Sequence, residues 1–315
     1  MVGAWRAGSA KCPLGPHSEW LLQSILTAVD QKHELRERAE ASAAPQKPDD
    51  LVRRSELTLR ATSCRCHTTR VYSFGASGAA LSQYVVWARE ARERWQAQVL
   101  AIVVVGNDFD ESLASFHKRP GFHHYVEEPS GSLRLQRFDY EPSHRRELVR
   151  RSALARYVFF NLQLPEQLRR GVRPAVPTPV DQEYVGNTRA AADEARLDQS
   201  KAVTRAFIRD LVAVAGWAPN RVVLLLDGIR YPTSNPTVLN SYFVQMRTYL
   251  MAEATAAGFE VIDLDAHFFA THQAEGTRFE FLTDNHWNAF GHGVAADALL
   301  KSRVFSNCRL GMVRR

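Results

Sequence analysis

Cysteine is scarce in this chain. Its 315 residues hold four, Cys12, Cys64, Cys66 and Cys308, too few for a disulfide framework at this length. Cys64-Arg65-Cys66-His67 groups metal-type side chains, but no second ligand pair stands at zinc-like spacing. The cluster reads as a chance grouping, and no metal is expected. Long apolar runs are also missing. None approaches the ~20 residues that a membrane-spanning helix needs, so no membrane span is expected. The nearest candidate for a signal core, residues 20–29, follows Pro13, Pro16, His17 and Glu19 rather than a compact basic region. No export signal is read there, and the sequence assigns no compartment. The net charge of +6 is not gathered into a Lys/Arg stripe with interleaved aromatics, which argues against a nucleic-acid partner. No internal repeat is visible.

What is present is ordinary globular composition, 45% hydrophobic and 23% charged, in a chain long enough for one large α/β domain or one domain with an appendage. The chain changes character near Arg70. Residues 1–69 show no sustained period of 2 or 3.6. A charged stretch at 31–44 has only Leu35 and a few alanines to bury, and residues 46–50 read as a loop. From Arg70 the signals sharpen. Residues 71–74 predict a strand, 79–95 a helix, and 99–105 a continuous apolar strand suited to a sheet covered on both faces. Residues 109–190 form an irregular excursion, with a helix expected over 152–162 and a proline-rich run at 173–180. Alternation then resumes: helix 197–215, strand 222–226, helix 239–257, strand 259–264 and helix 289–301. This order predicts a three-layer α/β/α sandwich around a central parallel sheet. Ligands in such sheets sit at the carboxyl ends of the strands.

Three features converge on that edge. Gly75, in Phe74-Gly75-Ala76-Ser77-Gly78, follows a strand and opens a helix; its backbone N–H can face a developing oxyanion because glycine permits close approach. Asn107, in Gly106-Asn107-Asp108, follows a second strand and offers a side-chain amide to the same charge. Taken alone, each is also an ordinary turn. Asp284-Asn285-His286-Trp287-Asn288 puts a carboxylate shortly before a histidine. That pattern suits a general base, His286, oriented by an acid, Asp284. The bland reading of the same residues is a helix N-cap by Asp284 beside an incidental histidine.

Together these residues resemble the SGNH hydrolase (GDSL-type esterase) superfamily, over about residues 70–302. Gly75 matches the oxyanion glycine of that family's second block, Gly106-Asn107-Asp108 its third, and Asp284-Asn285-His286-Trp287-Asn288 its fifth. The resemblance implies a flavodoxin-like fold and hydrolysis of a small acyl ester by a Ser-His-Asp mechanism. No cofactor is implied. The spacing differs from the commoner Asp-x-x-His, since Thr283 stands three before His286. Asp-x-His-Trp-Asn is similar to the O-acetyltransferase-related branch. It implies an O-acetylated carbohydrate as substrate and leaves acyl transfer to a sugar hydroxyl open. Within the domain, 109–190 is an insertion, and 303–315 is a tail.

The family's Gly-Asp-Ser block is missing, and with it the nucleophile. In the family its strand lies between those matched by 71–74 and 99–105. Ser63, after a candidate strand at 56–61, stands too close to Val71 for a parallel crossover of about a dozen residues. Ser24 lies in the apolar stretch 20–29 but lacks the preceding Gly-Asp. Ser77 lies on a strand-turn-helix that resembles a nucleophile elbow, with Ala79 where the second glycine would stand. In that α/β-hydrolase-like alternative, Asp227 is the candidate acid. Residues 1–69 are accordingly read as an atypical segment, disordered or translated from a shifted frame, and the chain as an esterase or a catalytically dead carbohydrate-binding homologue. His123, His124, His267 and His272 are expected to be solvated or capping rather than metal ligands. Trp87, Trp95 and Trp217 are expected in packing and Trp287 near the site.

Overall fold

The computed structural model describes residues 2–6, 70–140, 151–157, 183–282 and 285–306. Several expectations fall outside them: Ser24, Ser63, all four cysteines, the stretches 31–44, 46–50, 56–61 and 173–180, the end of the 152–162 helix, and Asp284.

Two apolar strands form the centre. β3 (Val99–Val104) and β8 (Val222–Leu226) pair in parallel, Leu100 opposite Val222 through Val104 opposite Leu226, and β8 pairs in parallel with β9 (Glu260–Asp263). Their side chains point alternately to the two faces. Leu100, Ile102, Val104, Val222, Leu224 and Leu226 enter one core with helices α1 (Leu81–Glu93), α2 (Glu194–Ala213) and α3 (Tyr242–Ala256). Val99, Ala101, Val223, Leu225 and Ile262 enter a second core with α4 (Leu264–Glu275) and α5 (Ala289–Leu300). The protein is therefore a mixed α/β structure with a three-strand parallel centre and helices on both faces, an order of layers compatible with an α/β/α sandwich. Continuous apolar strands form here because both faces are covered.

The full sheet runs β2-β1-β3-β8-β9, with β1 at Val2–Arg6 and β2 at Arg70–Phe74. β1 lies between β2 and β3 and is antiparallel to both, Val2 standing opposite Phe74 and Ile102. The sheet is thus mixed rather than wholly parallel. Five residues with a glycine among them show too little period for the strand to be read from sequence.

Within the irregular excursion a hairpin forms, β4 (His123–Glu127) and β5 (Leu133–Arg137). Its loop is closed by Glu128 and Gly131, the latter at φ 78°. Tyr125 anchors it in the core, its hydroxyl 3.2 Å from Asp210. A two-residue hairpin, β6 (Tyr184–Val185) and β7 (Thr188–Arg189), follows. The last predicted strand ends earlier than expected, because Asp263 caps α4 by accepting from the Asp265 N–H. No helix among the described residues is long and apolar enough to cross a membrane.

Candidate functional site

β2, β3 and β8 run in the same direction, so the chain leaves all three at one edge. Gly75 directly follows β2, Gly106-Asn107 follow β3 and Asp227 directly follows β8. The edge is zipped to its end, the Asp227 N–H donating to the Val104 carbonyl at 3.0 Å.

Asp227 is 1% exposed and heavily engaged. Its Oδ1 accepts from the Gly228 N–H at 2.9 Å, Arg230 Nε at 3.2 Å and Trp287 Nε1 at 3.0 Å, and its Oδ2 from Arg230 Nη2 at 2.6 Å. Arg230 sits at φ 64°, a left-handed conformation that a side-chain-bearing residue keeps only when its surroundings impose it. Its backbone N–H donates to Asp265 at 3.0 Å and its Nη1 to the Asn285 carbonyl at 2.7 Å. Burial works against the Arg230 charge, but the Asp227 carboxylate outweighs it and holds its pKa above the ordinary value. Glu280 resists burial in the same way: hydrogen bonds from Tyr231 and Arg278 and the nearby arginine charges hold its pKa below the usual range.

The histidine segment is a turn closed on itself. Glu280 and Trp287 form an antiparallel bridge, and the Phe281 N–H donates to the His286 carbonyl at 3.1 Å. The cap of α5 is Asn288, whose Oδ1 accepts from the Gly291 N–H at 2.9 Å. The His286 side chain is exposed. Trp287 is buried against Phe268 and His292, so its ring is core and is not open to stack on a sugar.

The Gly75 loop is covered from the excursion. Gly75 is half-buried and Ser77 exposed. Gly78 has φ 75°, and a Cβ there would lie 1.2 Å from Arg119 Nη1, which donates to the Ser77 carbonyl. Asn107 is half-buried in the turn Gly106–Asp108. Asp108 braces that turn, accepting from the Val105 N–H at 2.9 Å and the Tyr84 hydroxyl at 3.1 Å. Burial raises its carboxyl to a pKa of about 7. The β6–β7 hairpin packs over the end of β3, where a Cβ on Gly106 would meet the Gly186 carbonyl at 2.2 Å. Arg196 pins that hairpin through Asp110 and Thr188.

No protein-family profile, curated protein or solved structure matches this chain.

The chemistry therefore rests on the side chains. Gly75, Asn107 and the turn bearing His286 share one edge. Asp227, the candidate acid of the Ser77 alternative, is held by an arginine and an indole. His124 is buried rather than solvated, its ring between the Glu111 carbonyl and the Arg119 N–H. Trp87 and Trp217 are core, the latter donating to the Ala88 carbonyl. Among the described residues no cluster of three or more His, Cys, Asp or Glu could hold a metal ion. Sequence reasoning passed over Arg230 and Arg119. Arg230 had a signal, since it stands three residues after a carboxylate that ends a fully buried strand.

Proposed function

We propose that this protein is an acyl hydrolase of the SGNH type, with a flavodoxin-like fold, acting on a small acyl ester. An O-acetyl group on a carbohydrate is the substrate class its C-terminal block favours. The observation that carries the reading is the convergence at one sheet edge of Gly75, Gly106-Asn107 and the Asn285-His286-Trp287 turn, three segments far apart in sequence. In this scheme His286 takes the proton from a serine hydroxyl as the oxygen attacks the ester carbonyl, and Asp284 orients the imidazole. The Gly75 N–H and the Asn107 amide donate to the tetrahedral oxyanion. One such donor is typically worth ~10²–10³ in rate.

A second reading has a specific observation behind it. The SGNH scheme needs a serine at the carboxyl end of the strand between β2 and β3. The strand in that slot, β1, runs the other way, so its carboxyl end leaves at the opposite edge. This favours either a nucleophile from elsewhere, with Ser77 on the correct edge and Ser24 as the further candidate, or a catalytically dead homologue that binds the carbohydrate. Hydrolysis of p-nitrophenyl acetate by the parent chain, His286→Ala and Ser77→Ala decides among them. Turnover lost in both variants with folding intact makes Ser77 the nucleophile. Loss in His286→Ala alone points to another serine. A parent chain without turnover that binds an acetylated oligosaccharide is the dead homologue. Turnover unchanged in His286→Ala overturns the hydrolase scheme.

A further inference from the structure

The histidine turn is gripped on both sides by one buried ion pair. Arg230 Nη1 holds the carbonyl of Asn285 at 2.7 Å, and Asp227 Oδ1 holds the indole N–H of Trp287 at 3.0 Å. These are the neighbours before and after His286. The two anchors are joined to each other by two hydrogen bonds, at 3.2 and 2.6 Å. Asp227, Arg230 and Trp287 are all at most 9% exposed, so the ion pair and its bond to the indole are shielded from water, while the bond to the Asn285 carbonyl is part-buried. The base of the grip is also fixed: Asp265 accepts the Arg230 backbone N–H, and Arg230 is held at φ 64°. Burying an ion pair is costly, and an apolar pair of similar volume often serves stability as well. What an apolar pair could not do is hold a carbonyl and an indole N–H at the same time.

We propose that Asp227 and Arg230 are positioning residues that set the orientation of His286 by clamping Asn285 and Trp287. That His286 acts as a base rests on the hydrolase reading; the clamp itself does not. A general base must sit within about 2.6–3.2 Å of the proton it takes, and holding the backbone on both sides of His286 narrows the positions its imidazole can reach.

Two variants test the clamp. Arg230→Lys keeps the charge, but one ammonium cannot fork to Asp227 while reaching the Asn285 carbonyl. Trp287→Phe keeps an aromatic ring while removing the indole donor and part of the ring's volume, and it carries the test if Arg230→Lys fails to fold. The readout is ring-nitrogen NMR of His286 across a pH series, with His123 and His124 as internal reports on the fold. The clamp predicts a shifted tautomer balance and broadened His286 signals in both variants, with His123 and His124 unmoved. In a chain that turns over ester, kcat falls by up to about 100-fold for a displacement of about 1 Å, with KM unchanged. His286 signals superimposable on the parent's in folded variants overturn the clamp. If His286→Ala leaves ester hydrolysis unchanged, the hydrolase reading falls, and the NMR result still decides the clamp.

Discussion

The indole Nε1 of Trp287 donates to Oδ1 of Asp227 at 3.0 Å across a separation of 60 residues. This bond ties the C-terminal histidine block to the end of the central strand β8. It brings His286 to the edge where Gly75 and Asn107 leave β2 and β3.

The bond should be visible in stability. Trp287→Phe removes one hydrogen bond to a buried charge, worth about 1.5–3 kcal/mol, and leaves part of the ring's space unfilled, which adds to the loss. Arg230→Ala leaves Asp227 buried and unpaired and should cost more, about 3–5 kcal/mol. Urea unfolding of the two variants beside the parent measures both. Equal, small losses would mean that Asp227 reaches water.

Asp108 should make stability fall with rising pH. Its folded pKa, about 7, is raised by burial above the ordinary 3.8. The folded state therefore holds the proton more tightly. The contribution is fully present below 3.8 and is lost as pH climbs through 7, a change on the order of 4 kcal/mol. Asp108→Asn cannot ionise and can still accept from Val105. The stability gap between parent and variant should therefore change steadily from pH 4 to 8 in favour of the variant. A constant gap would refute the buried carboxyl.

His123 acts in the opposite sense. Burial, with Arg137 and Arg89 nearby, lowers its pKa from 6.5 to about 4. The neutral ring is favoured in the folded state, so its contribution is present above 6.5 and is lost as pH falls through 4. His123→Gln should lose less stability than the parent on acidification over that window, read from thermal melts at fixed ionic strength.

At Gly78 two separate penalties meet. The left-handed φ of 75° strains any side chain, at about 1–2 kcal/mol, and Arg119 occupies the space for a Cβ. Gly78→Ala should destabilise, and adding Arg119→Ala should recover only the steric part. Full recovery in the double variant would show that the backbone angle is not constrained.

Much of the frame was legible because its signals are local. Val99–Val104 and Val222–Leu226 are apolar runs that only a sheet covered on both faces can bury, and the long helices follow from their apolar periods. The β4–β5 hairpin carried an alternation, Leu133 and Leu135 pointing one way and Arg134 and Gln136 the other, but short mixed strands around Pro129-Ser130-Gly131 look like loop. Helix α4 was hidden because Asp263 ends a strand and caps a helix at the same residue, so one apolar stretch served two elements.

For the candidate site, the residue types and the strand ends were read from the chain alone: Gly75, Asn107 and His286 each stand where a strand or a turn delivers them. What the chain alone did not decide is which partners they meet. The direction of β1 depends on pairing with two strands distant in sequence. The engagement of Asp227 by Arg230 and Trp287 depends on a left-handed residue and a buried indole that only packing brings together. Local periodicity records which face of an element is buried. The direction of a strand between two others, and the partner of a buried charge, are set by contacts between segments that share no local pattern, and those exist only once the sheet has closed.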